Sequence, residues 1–354
     1  MHASVRTLPI LALGVAVPAV VLVGALAAPA YAAPTASPPT AQQLLEKVAR
    51  SAGAHYSGTI RQTSDLGLPE LPAVGSGSAA SDDSGIVDLV TAPHRAKVYV
   101  DGRSKQRVQV LDQLAERDIV RNGSSVWIWD SKQKSADHLI LPSKRSASPA
   151  PTSPAELVKR LLATVQKSSK VTVSTGSTVA GRTVDRLVLT PRTDQTLVSR
   201  VVISVDDRTG VPLKVAVDAR GQSDDAVAVG FTDISFAQPD AKLFSFTPPA
   251  GAKVTTKDLS AVKPPSKADH VSPEPDATSS ARPTVSGSGW TSVVSVAAGK
   301  LPPSVTGNTL FGELTTAVPG GRALQTSLVS VLFTDDGRVL AGAVPIATLE
   351  AAAQ

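Results

Sequence analysis

Apolar positions recur at helical spacing in two stretches of this chain and at every second residue through most of the rest. Leu44, Leu45, Val48, Ala49 and Ala52 form one helical stripe. Thr40 stands at its N-cap with Gln43 as capping-box partner, and Gly53 ends it. A second helix is expected after Ser153, with Pro154 at its first position and Glu156 in its first turn. Leu157, Leu161, Leu162 and Val165 line one side of that helix. Between and after the helices the period is two. Strands are expected at 55–64, 86–91, 95–101, 106–112, 117–121, 125–130 and 137–141, then at 170–175, 182–190, 197–206, 211–219 and 226–236. Val201, Ile203 and Val205 share one face, as do Leu213, Val215 and Val217, with Lys214 and Asp218 opposite. That pattern describes a mainly antiparallel sheet with one apolar and one wet face.

Turn chemistry separates the strands. Asn122-Gly123 between two alternating runs is the clearest hairpin signal, because a tight primed turn needs positive φ. A last short run, Leu243 to Thr247, precedes Pro248-Pro249. Residues 252–288 read as a linker rich in Pro, Ser, Asp and Lys. A small α+β module follows over 289–354, with strand-like runs at 291–297, 327–333 and 339–344, an Asp-Gly turn at 336–337 and a helix at 347–353. A module this small is marginal alone, so it is expected to dock on the first domain or on a partner. At the other end, residues 1–32 read as an export signal: Arg6, an apolar stretch from about Ile10 to Ala28, then Ala30-Tyr31-Ala32. Cleavage after Ala32 and retention as an anchor are both compatible with it; Gly14, Pro18 and Gly24 interrupt the apolar run and favour cleavage. The chain is expected to be exported, to a periplasmic, extracellular or membrane-associated location.

Composition narrows the chemistry. The absence of cysteine excludes disulfides, thiolate metal sites and a lipid-modified cysteine. Aromatics are only 3% of residues, so each tryptophan stands out. The formal net charge of +5 is scattered among acids, without the clustered cations and interleaved aromatics of a nucleic-acid groove. The five histidines, at 2, 55, 94, 138 and 270, lack metal-ligand spacing. The acid pairs Asp82-Asp83, Asp206-Asp207, Asp224-Asp225 and Asp335-Asp336 fall in expected turns. Gly75-Ser76-Gly77 and Gly287-Ser288-Gly289 carry no nucleophile elbow, and Gly299-Lys300 lacks the spacing of a phosphate loop. No enzyme, cofactor or metal is expected.

Several segments resemble a known family. Asn122-Gly123 ahead of Val126-Trp127-Ile128-Trp129-Asp130, and the closing Phe244-Ser245-Phe246-Thr247-Pro248-Pro249-Ala250-Gly251, are similar to the periplasmic lipoprotein carriers of the LolA family. Val179-Ala180-Gly181-Arg182, Leu189-Thr190-Pro191-Arg192 and Asp207-Arg208-Thr209-Gly210-Val211-Pro212-Leu213-Lys214 resemble the related envelope-stress regulators of the RseB/MucB type. The resemblance covers residues 40–251. It implies an unclosed antiparallel β-barrel covered by helices, an interior that holds acyl chains, and no catalysis. Where the carriers have a latch arginine ahead of a proline, this chain has Ala92-Pro93.

The expected apolar cavity is lined by Trp127, Trp129, Leu157, Leu161, Val201, Ile203, Leu213 and Val215. Each has an ordinary alternative as plain core. Two short helices are too few to cover about ten strands, so an apolar ligand, the C-terminal module or a partner must cover the remainder. Three functions follow: a binder that carries or senses lipid or lipoprotein acyl chains, a regulator that binds a membrane partner such as an anti-sigma factor, or a structural envelope protein without a ligand.

Overall fold

The computed structural model describes residues 38–68, 94–112, 115–142, 167–260, 283–297 and 309–354. The expected strand at 86–91, the second helix, the export segment and Ala92 lie outside them. The first helix, α1 (Ala41–Arg50), starts as its sequence dictates: the Thr40 side chain accepts from the Gln43 amide, and the Gln43 side chain accepts from the Thr40 amide. Lys47 and Arg50 sit in its last turn, where the helix dipole favours cations.

Twelve strands form one sheet. From β1 (His55–Ser64) the chain meanders outward through β2 (Arg95–Asp101), β3 (Lys105–Asp112), β4 (Ala115–Asn122), β5 (Ser125–Asp130) and β6 (Ser135–Ile140). It then begins again at the opposite edge and meanders inward through β7 (Ser169–Val179), β8 (Arg182–Pro191), β9 (Val198–Asp206) and β10 (Pro212–Ala219) to β11 (Asp225–Ser235), which pairs with β1. Gly123 takes φ +63° in the expected β4–β5 hairpin. All these ladders are antiparallel. The exception is β12 (Lys253–Asp258), which adds to the free edge of β6 in parallel.

The sheet is bent and unclosed. The backbones of β11 and β7 approach within 8 Å of each other. In a flat sheet they would stand four strand spacings apart, roughly 19 Å. Only a bend brings them together. Among the described residues no ladder joins the two edges, β12 and β7. The fold is thus mainly β, an open antiparallel half-barrel with α1 against its concave face.

Two stretches differ from expectation. The run from Leu243 to Thr247 is no strand: residues Ala241–Phe244 form a 3-10 turn capped by the Asp240 carboxylate, which accepts from the Lys242 amide at 2.9 Å. Residues read as linker include β12 and β13 (Thr284–Ser286). All six side chains of β12 are exposed, so its backbone ladder holds it and no hydrophobic alternation announces it.

A second, six-stranded sheet is built from β13, β14 (Val293–Ala297), β15 (Thr316–Val318), β16 (Gly321–Gln325), β17 (Ser330–Thr334) and β18 (Arg338–Gly342). It carries α2 (Thr309–Leu314) and α3 (Ile346–Ala353); the Leu349 side chain of α3 packs on Leu332, Leu340 and Ala323. Its loops dock beside β7–β9. The Trp290 indole donates to Ser169 Oγ at 2.8 Å, and the Ala343 carbonyl accepts from the Leu197 amide at 2.9 Å and the Thr196 hydroxyl at 2.6 Å. Trp290 and Leu328 complete the core that α1 makes with β8–β10.

The motif Asp206 to Leu213 seats α1. The Asp206 carboxylate accepts from the Thr209 amide at 2.7 Å, the Thr209 hydroxyl at 2.8 Å and Arg182 Nε at 2.7 Å. Gly210 turns the chain at φ +75°, and a Cβ there would stand 2.6 Å from the Lys47 carbonyl oxygen of α1. Lys47 Nζ in turn donates to the Asp207 carbonyl. Gly210→Ala therefore combines left-handed strain with a backbone clash, and we expect it to lose about 1–3 kcal/mol or more in urea unfolding.

Asp206 also sets a pH dependence. Burial alone would push its carboxyl up, but hydrogen bonds from Arg182 and Thr209 outweigh that and hold it below the usual carboxylate range. A lowered folded-state value stabilises fully above the ordinary aspartate range and is lost as pH falls through it. Asp206→Asn should cost about 1–3 kcal/mol near neutral pH. Unfolding measured along a pH series should then show a shallower loss of stability below pH ~4 than in the unsubstituted protein.

Candidate functional site

The strand register sorts every side chain to one face of the large sheet. On the concave face a single row of direct partners crosses the sheet: Gly58 of β1, Val98 of β2, Val108 of β3, Ile119 of β4 and Ile128 of β5. At its inner end Phe231 lies against Gly58, and the Tyr56 ring meets Phe231 edge-on at 5.8 Å. Val98 is fully buried, Val108 and Ile119 are half-buried, and Ile128 is 39% exposed. The row thus grades from core to open surface. Rows on either side add Val100, Val126 and Leu139, and Ile60, Ala96 and Val110. Arg117 and Arg121 flank Ile119 two residues away on β4, and so share its face. Arg117 faces Asp130 at 3.8 Å.

The other half of the concave face is closed. Val201, Ile203 and Val215 are buried beneath Leu44 and Val48 of α1, together with Leu187 and Leu189. Leu213 is fully buried where the closed half meets Tyr56 and Phe231. Leu157 and Leu161 lie outside the described residues.

Trp127 and Trp129 are not on this face, which corrects the expectation of one cavity lined by both groups. Trp127 is the register partner of Val120, Val120 of Arg107, and Arg107 of Tyr99. That row projects from the convex side, opposite Val215 and Ile203. There Phe246 covers both tryptophans, with ring centroids 5.6 Å and 6.3 Å away. Trp127 stacks on His138 at 4.1 Å, and His138 Nε2 shares a 2.8 Å hydrogen bond with Ser125 Oγ. Val120 and Ala136, the register partners of Trp127 and Trp129, are buried, as is Phe244. Arg107 binds Asp118 through two nitrogens and donates to the Leu243 carbonyl at 3.4 Å. Burial pushes the Asp118 carboxyl up, against the pull of Arg107. The reason for the difference is parity. Period two within β5 puts the tryptophans on one face, but only the register across β4 to β1 says which.

Among the described residues no cluster of His, Asp or Glu could hold a metal, and no helix is long and apolar enough to cross a membrane. What the arrangement offers is an apolar strip open at one end.

Residues 107–247 match the family model described as outer membrane lipoprotein carrier protein LolA, from β3 to just past Phe246. That stretch of the chain is thus similar to the LolA family, to which the motifs at 122–130 and 244–251 pointed. No curated protein matches the sequence. Among solved structures, the complex of Pseudomonas aeruginosa MucA/MucB aligns at 19% identity over 87% of this chain and 95% of that one, with a TM-score of 0.43. A LolA superfamily protein from Nitrosomonas europaea aligns at 14% identity over 59% of this chain and 98% of that one, with a TM-score of 0.25.

The convex covering is directly testable. Phe246→Ala should shift tryptophan emission to the red as Trp127 and Trp129 gain water, and should lower the unfolding midpoint. An unchanged spectrum would contradict the cover that Phe246 provides.

Proposed function

We propose that this protein binds the acyl chain of a lipid or lipoprotein along the open half of its concave face, without catalysis, in the cell envelope. The observation that carries the reading is the row Val98, Val108, Ile119, Ile128, in which a fully buried position passes into an exposed one with no change of character. The match of residues 107–247 to the lipoprotein carrier family supports it, because that region supplies β3 to β6 and hence most of the row. Each methylene buried there would contribute about 0.8 kcal/mol, so a few turns of acyl chain suffice for measurable binding. Val201, Ile203, Leu213 and Val215 form the fixed wall against which the chain ends.

Ile128→Glu places a carboxylate at the open end, where the exposed position tolerates it. Uptake of a fluorescent fatty acid by the purified protein should fall about tenfold or more, with the unfolding midpoint unchanged. Equal uptake by the variant, or absence of any bound lipid and any uptake in the parent protein, would remove this function.

A second reading, a regulator that binds a membrane partner such as an anti-sigma factor, is favoured by one feature of the smaller sheet. Val285, Val294, Ala341, Val331 and Leu324 are successive register partners across five strands, and Val285 is 65% exposed. The solved MucB structure is of a complex with MucA, and a comparable partner would meet this chain through that row. Val294→Lys should abolish capture of such a partner while leaving fatty-acid uptake intact.

A further inference from the structure

We infer that Arg121 is the anchor for an anionic head group on the ligand of the concave face. The inference rests on the acyl-binding reading and specifies which amphiphiles the site takes.

Arg121 is only 8% exposed. Its sole hydrogen bond among the described residues runs from Nε to the Gly123 carbonyl at 3.1 Å, two residues on. Among the described residues no carboxylate pairs with it. The contrast with other arginines of this sheet is sharp: Arg107 has Asp118, Arg182 has Asp206, Arg200 has Asp218 and Arg117 has Asp130. The Arg121 nitrogens are not among the fully buried side-chain atoms without a partner, so the Nη groups keep contact with solvent at the rim, while the rest of the guanidinium is mostly withdrawn from water, which is unfavourable for a cation without a counter-charge. The Nε bond fixes the plane of the group and leaves both Nη groups as donors. Two parallel N–H groups of a guanidinium fit a carboxylate or phosphate oxygen pair.

Its position suits such a ligand. Arg121 lies on the concave face two residues from Ile119, about 7 Å along the strand. It stands beside the β4–β5 turn, at the rim of the sheet, with Val126 across from it on β5 and Val100 two strands away on β2. A head held there would be at the rim while its tail lay over Val108, Ile119 and Ile128. Arg117, at the other side of Ile119, already has its aspartate, so the two concave arginines are not equivalent.

The experiment compares three single-chain probes of equal tail length on the full protein: palmitate, palmitoyl lysophosphatidylglycerol and hexadecanol. Affinities come from displacement of a fluorescent fatty acid in detergent-free buffer. The parent protein should hold at least one anionic probe roughly ten- to a hundredfold more tightly than hexadecanol, the range of a charge-assisted hydrogen bond. Preference for palmitate over the phospholipid, or the reverse, identifies carboxylate or phosphate as the head. Arg121→Gln should erase the preference while hexadecanol affinity stays the same, and Arg121→Lys should restore part of it. The ligand-free Arg121→Gln protein should melt at or above the parent temperature, since an uncompensated charge has been removed. Equal affinity for all three probes in the parent protein overturns the anchor and leaves acyl binding standing. Failure of all three to bind removes both. A variant that melts lower and loses every probe alike shows Arg121 to be structural and also overturns the proposal.

Discussion

The bent sheet must keep its inner face from water, and it has one described helix with which to do so. Leu44 and Val48 of α1 bury Val201, Ile203 and Val215, and Trp290 and Leu328 of the smaller sheet close the same core from the end. Among the described residues that cover stops near Tyr56 and Phe231. Beyond it the apolar row continues toward Ile128 with diminishing burial. The strip proposed to bind an acyl chain therefore begins where this cover ends. This is also why α1 is held so firmly at its C-terminal turn: the Asp206 carboxylate, the left-handed Gly210 and Lys47 together fix how far along the hollow the helix reaches.

Much of the architecture could be read from residue order. The capping box at Thr40, the Asn122-Gly123 hairpin and the alternation in β9 and β10 are local signals, and each appears where local physics puts it. The family resemblance was legible from short motifs because those motifs do specific structural work. Thr209-Gly210 is the seat of a helix, and Phe244-Ser245-Phe246 is a cover for two tryptophans. Non-local facts were not legible. β12 has no buried side chain, so nothing in its composition separates it from linker. The side of the sheet to which Trp127 and Trp129 belong depends on ladders through four other strands and on a bulge between the partners of Thr59 and Ile60. Nothing in the sequence singles out Arg121 among the strand cations, because its burial, and which of the described carboxylates stand near it, are properties of the fold.

Charge is distributed with the same logic. Of the four buried aspartates described in the sheet, Asp118, Asp206 and Asp218 each meet an arginine from a neighbouring strand, and Asp185 does not. Such pairs do little for stability beyond offsetting their own desolvation, but they fix strand neighbours in one register, since a slip would leave a charge alone in the interior. Arg121 has no acidic partner among the described residues, and the proposed anionic head group would supply one.

The path of the chain after β11 has a mechanical meaning. β11 lies at the middle of the large sheet, beside β1, whereas β12 lies at its far edge beyond β6. Between them the chain crosses the outer surface, gripping it by Phe244 and Phe246 and by the Leu243 carbonyl bound to Arg107. It works like the cord on the back of a bow. Tighter curling of the β2–β6 arm would lengthen the outer path between its two fixed ends, so the cord limits how far the hollow can close, whereas flattening the arm would slacken it.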